Sequence, residues 1–493
     1  MVESIEPFGF TLLVAGLVVV VALFSNRVSS ALRIPAPAIF LVAAAVASDL
    51  IPSLQGMSLE AVEQIVTVAL VMILFDGGMH IGARRLRAAL TPILVVGVAG
   101  TLLTTGAVAL LAHFLFGFPW LVALLLGTAL APTDPAVVFS VLGNREIRGR
   151  TGVILEGESG ANDPVGIALL LSLLAVGGTG SQSGAGVVGG VAVEFAVQML
   201  VGAAIGVAGG WLLQRGMQRI ALPSEGLYPL RTLAVAFGLY GLATVAHGSG
   251  FLAVFVAGIV IGDVGAPFKR EIERFHGALA SLAEIVAFVV LGLTVSVSSL
   301  FTTGAWLIGL VLAVLLALFV RPLLVGPLLL ATRLRPGERV FVLWAGLKGA
   351  VPILLGTYLL ASGTAQDVLV YEIIFTVVAF SVIVQGGLVP AVAKRCGVAM
   401  REVEPLPWSL GVRLRDEPGG ARRFEVAAGA PADGCTVRDL HLGQDIWISL
   451  VVRDGTPLHV RGDTALRAGD EVLLLIDPDA GDDAASLFTR SAE

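Results

Sequence analysis

The chain has 493 residues, of which 56% are hydrophobic and 14% are charged, and its formal net charge at pH 7 is −6. Soluble globular domains carry about 25% charged residues, so this composition excludes an ordinary soluble protein and indicates one that lies largely in a membrane. The two cysteines, Cys396 and Cys435, fit neither a disulfide framework nor the ligand spacing of a metal site. No basic block stands outside short loops between apolar runs, so no nucleic-acid partner is expected.

The composition changes near residue 399, where a hydrophobic region gives way to a polar one. The residues before this point have a net charge of +1, and those after it have −7. We therefore predict a transmembrane domain at 1–398, a linker at 399–420, a small folded domain at 421–480 and an acidic flexible tail at 481–493.

Thirteen membrane-spanning helices are predicted in the first domain, because apolar runs long enough to cross a bilayer recur along it. The first run is flanked by Glu3 and Glu6 and is followed by no cleavage site, so we predict a retained span and not a signal peptide. The spans are placed at residues 8–26, 34–51, 60–79, 90–115, 119–142, 151–177, 187–214, 228–247, 250–264, 279–298, 303–331, 340–360 and 368–395.

The loops between these spans alternate in charge. Arginine and lysine occur in the loops around residues 27–33, 84–87, 145–150, 215–219, 269–274, 333–339 and 394–401. The alternate loops, such as 52–59 and 178–186, contain neither. The positive-inside rule then predicts an N-terminus outside and a C-terminal domain in the cytoplasm, with the protein in the inner membrane of a bacterial or archaeal cell.

Two of the predicted spans contain helix-breaking residues. Span five includes the sequence Ala-Pro-Thr-Asp-Pro at 131–135, and span twelve includes Gly-Leu-Lys-Gly-Ala-Val-Pro at 346–352. Proline and glycine clusters of this kind interrupt a helix. Because the two spans are seven apart, they have opposite orientations, as in inverted repeats. Paired broken spans indicate the substrate site of a transporter.

Ionisable residues at membrane depth are costly and mark function. On a helix, Ser159 and Asp163 share a face, as do Glu158 and Asn162. A carboxylate beside hydroxyl and amide oxygens suits a desolvated monovalent cation. Burial also makes a carboxylate take up a proton more readily than in water. We therefore predict that Asp163 binds a cation or a proton, but not both.

The two breaks contribute further candidates. Thr133 is predicted to bind the ion through its hydroxyl or its carbonyl. Asp134 is expected either to coordinate the ion or to neutralise the positive end of a half-helix, and Lys348 to compensate a half-helix C-terminus or else to lie in a loop.

Arg321 lies inside span eleven and is predicted to form a buried structural ion pair with Glu158. Glu284 is placed near the cytoplasmic end of span ten, where it would reach the surface or pair with loop arginines. Asp76 is either an outer ligand or gate, or an interfacial carboxylate.

In chain order, several segments resemble the NhaP-type branch of the monovalent cation:proton antiporters. These are Phe75-Asp76-Gly77-Gly78, Pro132-Thr133-Asp134-Pro135, Glu156 through Pro164, Arg321, Leu347 through Pro352, and Gln385-Gly386. The resemblance implies an all-α polytopic fold of about thirteen helices with inverted repeats, in a homodimer. It also implies ion binding at Asp163 with Thr133, Ser159 and Asp76 as co-ligands, and the Asn162-Asp163 pair resembles that of electroneutral exchangers. Asp76 is one methylene shorter than the glutamate frequent in relatives, which limits its reach.

The C-terminal region is predicted to be a small α+β domain. Strands are placed at 423–428, 446–452, 458–460 and 471–476, with a short helix at 436–442 and a hairpin turn at Asp454-Gly455. This order resembles the TrkA C-terminal (RCK-C) domain, which implies dimerisation and a small regulatory ligand such as a cyclic dinucleotide or nucleotide. The resemblance favours potassium as the cation.

The function predicted from these features is the exchange of K⁺, or next Na⁺, for H⁺ by alternating access, with no enzymatic activity and with no cofactor apart from the transported ions. A cation channel is the main alternative, although paired breaks and one titratable carboxylate differ from a filter of repeated carbonyl loops. An intramembrane aspartyl protease would use Asp134 and Asp163 as a pair, but the sequence lacks the contexts of that family.

Overall fold

A computed structural model describes residue 16 and residues 35–51, 54, 57–142, 145–147, 149–177, 184–330, 332, 334–363, 366–402, 421–440, 442, 446–453, 456–476 and 487–489. The chain divides into two compact units, Met1–Pro405 and Leu406–Glu493.

The first unit is built from helices. In chain order they are α1 (Ala36–Leu50), α2 (Leu59–Ala88), α3 (Leu90–Phe116), α4 (Trp120–Leu130), α5 (Ala136–Leu142), α6 (Arg150–Gly177), α7 (Gly184–Arg219), α8 (Leu227–Val245), α9 (Gly250–Gly262), α10 (Lys269–Leu293), α11 (Val297–Thr303), α12 (Ala305–Leu330), α13 (Pro336–Trp344), α14 (Ala350–Ala361) and α15 (Asp367–Arg395). Two short strands, β1 (Arg145–Ile147) and β2 (Met400–Glu402), pair antiparallel in the same unit.

Helix starts in this unit follow local capping chemistry. The hydroxyls of Ser58, Ser249 and Ser296 accept hydrogen bonds from backbone N–H groups in the first turns of α2, α9 and α11. These caps satisfy donors that have no partner inside the helix.

Within the described residues, seven helices are long and apolar enough to cross a membrane, and four shorter apolar helices accompany them. The chain is thus a multi-pass membrane protein, and the predicted fold class is confirmed for its helical membrane part. Twelve of the thirteen predicted spans overlap these helices or α8. The predicted span at 8–26 lies outside the described residues, except for the helical Gly16.

Both predicted breaks are present. Residues 131–135 separate α4 from α5, and residues 345–349 separate α13 from α14. Pro132 and Pro135 have no N–H to donate to a continuing helix, and Gly349 has φ −112° and ψ −144°, a non-helical backbone immediately before α14. Each break leaves backbone groups without helical partners in the middle of the unit.

Small residues let α2 and α9 approach closely. A Cβ at Gly78 would overlap the carbonyl oxygen of Phe255, and a Cβ at Gly258 would overlap that of Phe75. This crossing explains Gly78 of the sequence motif, whereas a Cβ at Gly77 would meet nothing within 4 Å.

Three of the long helices contain a π-helical turn, at Val95–Ala99 in α3, Leu316–Val320 in α12 and Ser381–Gln385 in α15. A π-helical turn inserts one extra residue into the helix, widens it locally and is frequent at functional sites.

The second unit contains a four-stranded antiparallel sheet in the order β3 (Ala421–Glu425), β6 (Glu471–Ile476), β4 (Ile446–Arg453), β5 (Thr456–Leu458). All four predicted strands overlap these elements, while the hairpin turn at 454–455 lies outside the described residues. The alternate, inward-facing side chains of the strands, such as Val451, Val472 and Leu474, form its core.

The predicted helix at 436–442 is wrong. Thr436 forms a β-bridge with Ala465, and the described residues after it form turns. The Thr436 hydroxyl and backbone bind Asp439, which is the local hydrogen bonding by which threonine and aspartate compete with a helix. Packing also extends past the predicted boundary at 480, because Phe488 is fully buried and stacks on Phe424.

Candidate ion-binding site

The two breaks cross each other and are joined by hydrogen bonds. The Asp134 N–H donates to the Leu347 carbonyl at 2.8 Å. The Lys348 ammonium donates to the carbonyls of Ala131 and Pro132 at 2.9 and 3.0 Å. These carbonyls end the half-helix α4, where the helix dipole is negative. The structure therefore places the Lys348 charge at a half-helix C-terminus and not in a loop.

The Asp134 carboxylate lies at the starts of both other half-helices. Its Oδ1 accepts the Ala136 N–H at 2.8 Å, and the N–H groups of Val137 and Ala350 also hydrogen-bond to the carboxylate. A Cβ at Gly349 would overlap this carboxylate. Of the two expected roles for Asp134, the geometry matches neutralisation of half-helix N-termini.

Asp163, Ser159 and Asn162 are buried residues of α6, and Asn162 contacts Thr133 of the first break. The Ser159 hydroxyl donates to Asp163 Oδ2 at 3.4 Å. The Asn162 amide donates to the Thr133 hydroxyl at 2.7 Å and accepts the Thr133 N–H at 3.3 Å. Asp163 is 7% exposed, and among the described residues only Ser159 hydrogen-bonds to its carboxylate. One carboxylate at the crossing is therefore left with little compensation.

Glu158 and Arg321 form an ion pair, with an Nη2 to Oε1 distance of 2.8 Å. The guanidinium also donates to the carbonyls of Leu343 and Val342, at 2.9 and 3.2 Å, near the end of α13. Gly346 makes room for it, because a Cβ there would overlap the guanidinium. The pair thus links α6 and α12 to the second break.

Among the described residues, no hydrogen bond joins Asp76 to the Asp163 carboxylate. Its Oδ2 lies 3.3 Å from Nδ1 of His80, one turn along α2, while its Oδ1 is buried without a hydrogen-bond partner there. His80 Nδ1 is also 3.0 Å from the Asp76 carbonyl. The structure therefore leaves the predicted co-ligand role of Asp76 without a direct contact.

The predicted position of Glu284 is wrong. Helix α10 begins at Lys269, so Glu284 lies in its middle and not near its end. Its Oε1 is buried without a hydrogen-bond partner among the described residues, and its charge interacts with that of Asp134. The predicted start of this span at residue 279 is ten residues too late, because the charged first turns of α10 resemble a loop.

Two further polar residues support the second break. The Gln385 amide donates to the Trp344 carbonyl at 2.6 Å, and the Trp344 indole N–H donates to the Gln385 carbonyl at 3.1 Å. The Ser381 hydroxyl accepts the Lys348 N–H at 2.9 Å and donates to Gln385 Oε1 at 3.1 Å. Ser381 and Gln385 both belong to the π-helical turn of α15. This turn therefore satisfies backbone groups that the break exposes. Gln385 belongs to one of the sequence motifs, but the motif alone does not indicate this role.

The sequence matches two known families. Residues 16–395 match the family described as sodium/hydrogen exchanger, transmembrane, and residues 421–489 match the TrkA-C domain.

Individual relatives agree with this assignment. The chain is 31% identical over 498 residues to the K(+)/H(+) antiporter NhaP2 of Shewanella sp. (strain MR-4), covering 100% of this chain and 85% of the relative. It is also 31% identical to the K(+)/H(+) antiporter NhaP of Alkalimonas amylolytica, covering 95% and 82%. The fold is similar to that of the sodium proton antiporter MjNhaP1 from Methanocaldococcus jannaschii, with a TM-score of 0.64, 22% identity, and coverage of 77% of this chain and 99% of that one.

These matches confirm the family predicted from the motifs and the absence of an enzymatic role, since the family is one of transporters. The channel and protease alternatives are therefore set aside. The chain belongs to the sodium/hydrogen exchanger family, as an NhaP-type cation/proton antiporter with a TrkA-C domain in its C-terminal region.

Proposed function

We propose that the antiporter binds its cation and its proton in competition at Asp163. The observation that carries this proposal is the contrast among the carboxylates at the crossing. Glu158 is paired with Arg321 and Asp134 accepts backbone N–H groups, whereas Asp163 is buried and receives one hydrogen bond, from Ser159, among the described residues. A charge with so little compensation is costly to bury. A cation or a proton relieves that cost, and binding of one disfavours the other.

The proposed co-ligands of Asp163 are the hydroxyl oxygens of Ser159 and Thr133. The Ser159 hydroxyl contacts the carboxylate, and the Thr133 hydroxyl is held in place by Asn162. Asn162 makes hydrogen bonds with both ends of its amide, so it orients Thr133 and adds no ionisable charge. With one titrating carboxylate, one proton exchanges for one cation, which makes the exchange electroneutral. Asp76 remains a proposed co-ligand for a state in which the helices are arranged differently.

Exchange by alternating access requires the crossed breaks to face each side of the membrane in turn. The compensating charges of Lys348 and Asp134 are hydrogen-bonded within the crossing itself, so they move with it. We propose that they keep the half-helix ends neutral in both states. We also propose potassium as the favoured cation, because the relatives that align over nearly the whole chain are named K(+)/H(+) antiporters, with sodium second.

The surroundings of the transporter complete the proposal. It functions as a homodimer among the lipids of a bacterial or archaeal cell membrane, with its N-terminus outside and the TrkA-C domain in the cytoplasm. The alternation of basic loops supports this orientation. The TrkA-C domain binds a small regulatory ligand, with a cyclic dinucleotide as the first candidate.

The test uses the full chain in inverted membrane vesicles, with a pH-sensitive dye and added K⁺, Na⁺ or Li⁺. The wild type is expected to dissipate the pH gradient on addition of K⁺ and, at higher concentration, Na⁺. Asp163→Asn is expected to abolish exchange while leaving a folded protein, because asparagine mimics the protonated acid. Glu273→Gln makes an acid-to-amide change at an exposed side chain of α10 and checks that loss of a carboxylate in general does not have this effect. Cation-dependent exchange in Asp163→Asn would refute the assignment.

A further inference from the structure

The long helices of the membrane unit pack into two groups. Helices α1, α2, α8, α9 and α10 pack together and are called the scaffold group. Helices α3, α4, α6, α12, α14 and α15 are called the crossing group, because they include α4 and α14 from the two breaks and the Asp163 helix α6. The groups meet where α14 contacts α2 and α10 and where α6 contacts α2. Alternating access moves one such group against the other, so the contacts between them influence which side is open.

Two hydrogen bonds between a tyrosine and a threonine join the groups. The Tyr358 hydroxyl of α14 lies 3.3 Å from the Thr67 hydroxyl of α2. The Tyr371 hydroxyl of α15 is hydrogen-bonded to the Thr294 hydroxyl at the end of α10. In both pairs the tyrosine belongs to the crossing group and the threonine to the scaffold group. We call the two pairs the Tyr358 latch and the Tyr371 latch.

The Tyr371 latch is held firmly from both groups. The Thr294 hydroxyl donates its one hydrogen to the Leu291 carbonyl at 2.7 Å, so Tyr371 is the donor in the latch. The Ser48 hydroxyl of α1 donates to the Leu293 carbonyl at 2.9 Å and ties this end of α10 to α1. On the other side, Tyr371 is 3% exposed and packs on α14, where a Cβ at Gly356 would lie 2.8 Å from its ring. Separation of the two groups at this point therefore breaks the hydrogen bond.

Both latches lie toward the same side of the membrane. Tyr358 is in the last turn of α14 and Tyr371 is in the second turn of α15, so the two residues flank one connection. Thr67 is in the third turn of α2, and Thr294 directly follows α10. The neighbouring segments 52–59, 299–302 and 361–367 contain no lysine or arginine. By the positive-inside rule this is the outer side.

We propose that Tyr358 and Tyr371 are positioning residues of the transport cycle, whose hydrogen bonds to Thr67 and Thr294 hold the two groups together on the outer side and close the ion site to the outside. The inference rests on the proposed alternating access and orientation. When the site opens to the outside, the groups separate on that side and both hydrogen bonds break. The latches thus stabilise the inward-open arrangement relative to the outward-open one.

The test removes one hydroxyl at a time and measures the apparent affinity for K⁺ on each side. The full-length protein is assayed in right-side-out and in inverted vesicles with a pH-sensitive dye. Tyr371→Phe keeps the ring and its packing but removes the donor. Apparent affinity scales with the fraction of the protein that is open to the side of addition. The K⁺ concentration for half-maximal exchange is therefore expected to fall about fivefold at the external face, the size of one hydrogen bond, and not to fall at the cytoplasmic face.

The other variants separate a latch from a general structural role. Tyr358→Phe is expected to give the same one-sided change, and the variant with both phenylalanines a larger one. Thr294→Val should match Tyr371→Phe, and combining these two should add little, because both remove the same hydrogen bond. Tyr228→Phe is the matched control. Tyr228 is 5% exposed and its hydroxyl accepts the Leu222 N–H at 3.1 Å in the connection before α8, so both constants should stay unchanged.

Equal changes at the two faces would show that the hydroxyls stabilise both arrangements alike and would overturn the proposal. A fall confined to the cytoplasmic face, or no change in either phenylalanine variant, would overturn it too. A failure of the proposed function is seen separately, as exchange that persists in Asp163→Asn.

Discussion

Breaking the ion pair between Glu158 and Arg321 should strongly destabilise the membrane unit. The two side chains are 3% and 8% exposed, and the guanidinium binds both carboxylate oxygens, at 2.8 and 3.0 Å. Removing one partner of a buried pair costs about 3–5 kcal/mol, because the other charge is left buried and unpaired. Glu158→Ala is expected to lower the free energy of unfolding by an amount in this range.

Arg321→Ala should lower the free energy of unfolding more than Glu158→Ala does. It also removes the donors to the Leu343 and Val342 carbonyls, and each unsatisfied buried acceptor adds about 1–3 kcal/mol. The double variant loses both charges together. We therefore expect the double variant to lose about 3 kcal/mol less stability than the sum of the single changes, the upper end of the coupling between residues in direct contact.

The assay is unfolding of the purified full-length protein in mixed micelles with increasing sodium dodecyl sulfate, followed by tryptophan fluorescence. Glu273→Ala is the control. Glu273 pairs with Lys269 one turn along α10 at 3.5 Å, but its side chain is 43% exposed. Exposed pairs contribute about 0–1 kcal/mol. The reasoning would be refuted if the stability losses of the two single variants added up to that of the double variant. It would also be refuted if these losses were no larger than that of Glu273→Ala.

Three further predictions concern the crossing, the exchange stoichiometry and the TrkA-C domain. Gly349→Ala should abolish exchange or folding, since its Cβ would overlap the Asp134 carboxylate, whereas Gly106→Ala, which meets nothing within 4 Å, should be tolerated in the same vesicle assay. The rate of exchange in proteoliposomes should not respond to an imposed membrane potential, and a clear acceleration would contradict electroneutrality. Burial acts to raise the pKa of Asp470, but hydrogen bonds from Arg453 and the Arg467 N–H outweigh it and lower the pKa below its ordinary value. This stabilisation is present above about pH 4, the ordinary pKa, and is lost as the pH falls through the lowered value. Asp470→Asn should therefore destabilise the domain by about 2 kcal/mol at pH 7 and by less in acid, measured by hydrogen exchange of its strands in the full-length protein.

Much of the membrane unit could be predicted from the sequence because its signals are local. Apolar length determines a span, and the alternation of basic loops checks the number of spans. Pro132, Pro135 and Gly349 mark the breaks because their backbone chemistry acts at their own positions. The pairing of Arg321 with Glu158 also follows from elimination, since an unpaired guanidinium at that depth is too costly.

The rest depends on which helices meet, and no local signal gives that. Ser381 and Gln385 read as ordinary polar residues in an apolar span until the structure places them on the second break. The π-helical turns depend on a single extra residue per helix, which hydrophobic periodicity does not resolve. In the C-terminal unit, Thr436 and Asp439 fit a helix start as well as a turn, and pairing with Ala465 decides between them.

The charges around the crossing support exchange of a single proton. Glu284 decides whether a second proton also takes part. Lys348 is bound to carbonyls, Asp134 to N–H groups, and Glu158 to Arg321, which leaves Asp163 to change its charge. Glu284, like Asp76, is a carboxylate of the membrane unit with a buried oxygen that has no donor among the described residues. Burial without a donor favours a neutral acid, and a neutral Glu284 that keeps its proton throughout the cycle leaves the exchange electroneutral. A Glu284 that released its proton during the cycle would instead add a second charge, and exchange would then respond to membrane potential. Because glutamine mimics the neutral acid, Glu284→Gln preserves exchange in the first case and removes the response to potential in the second.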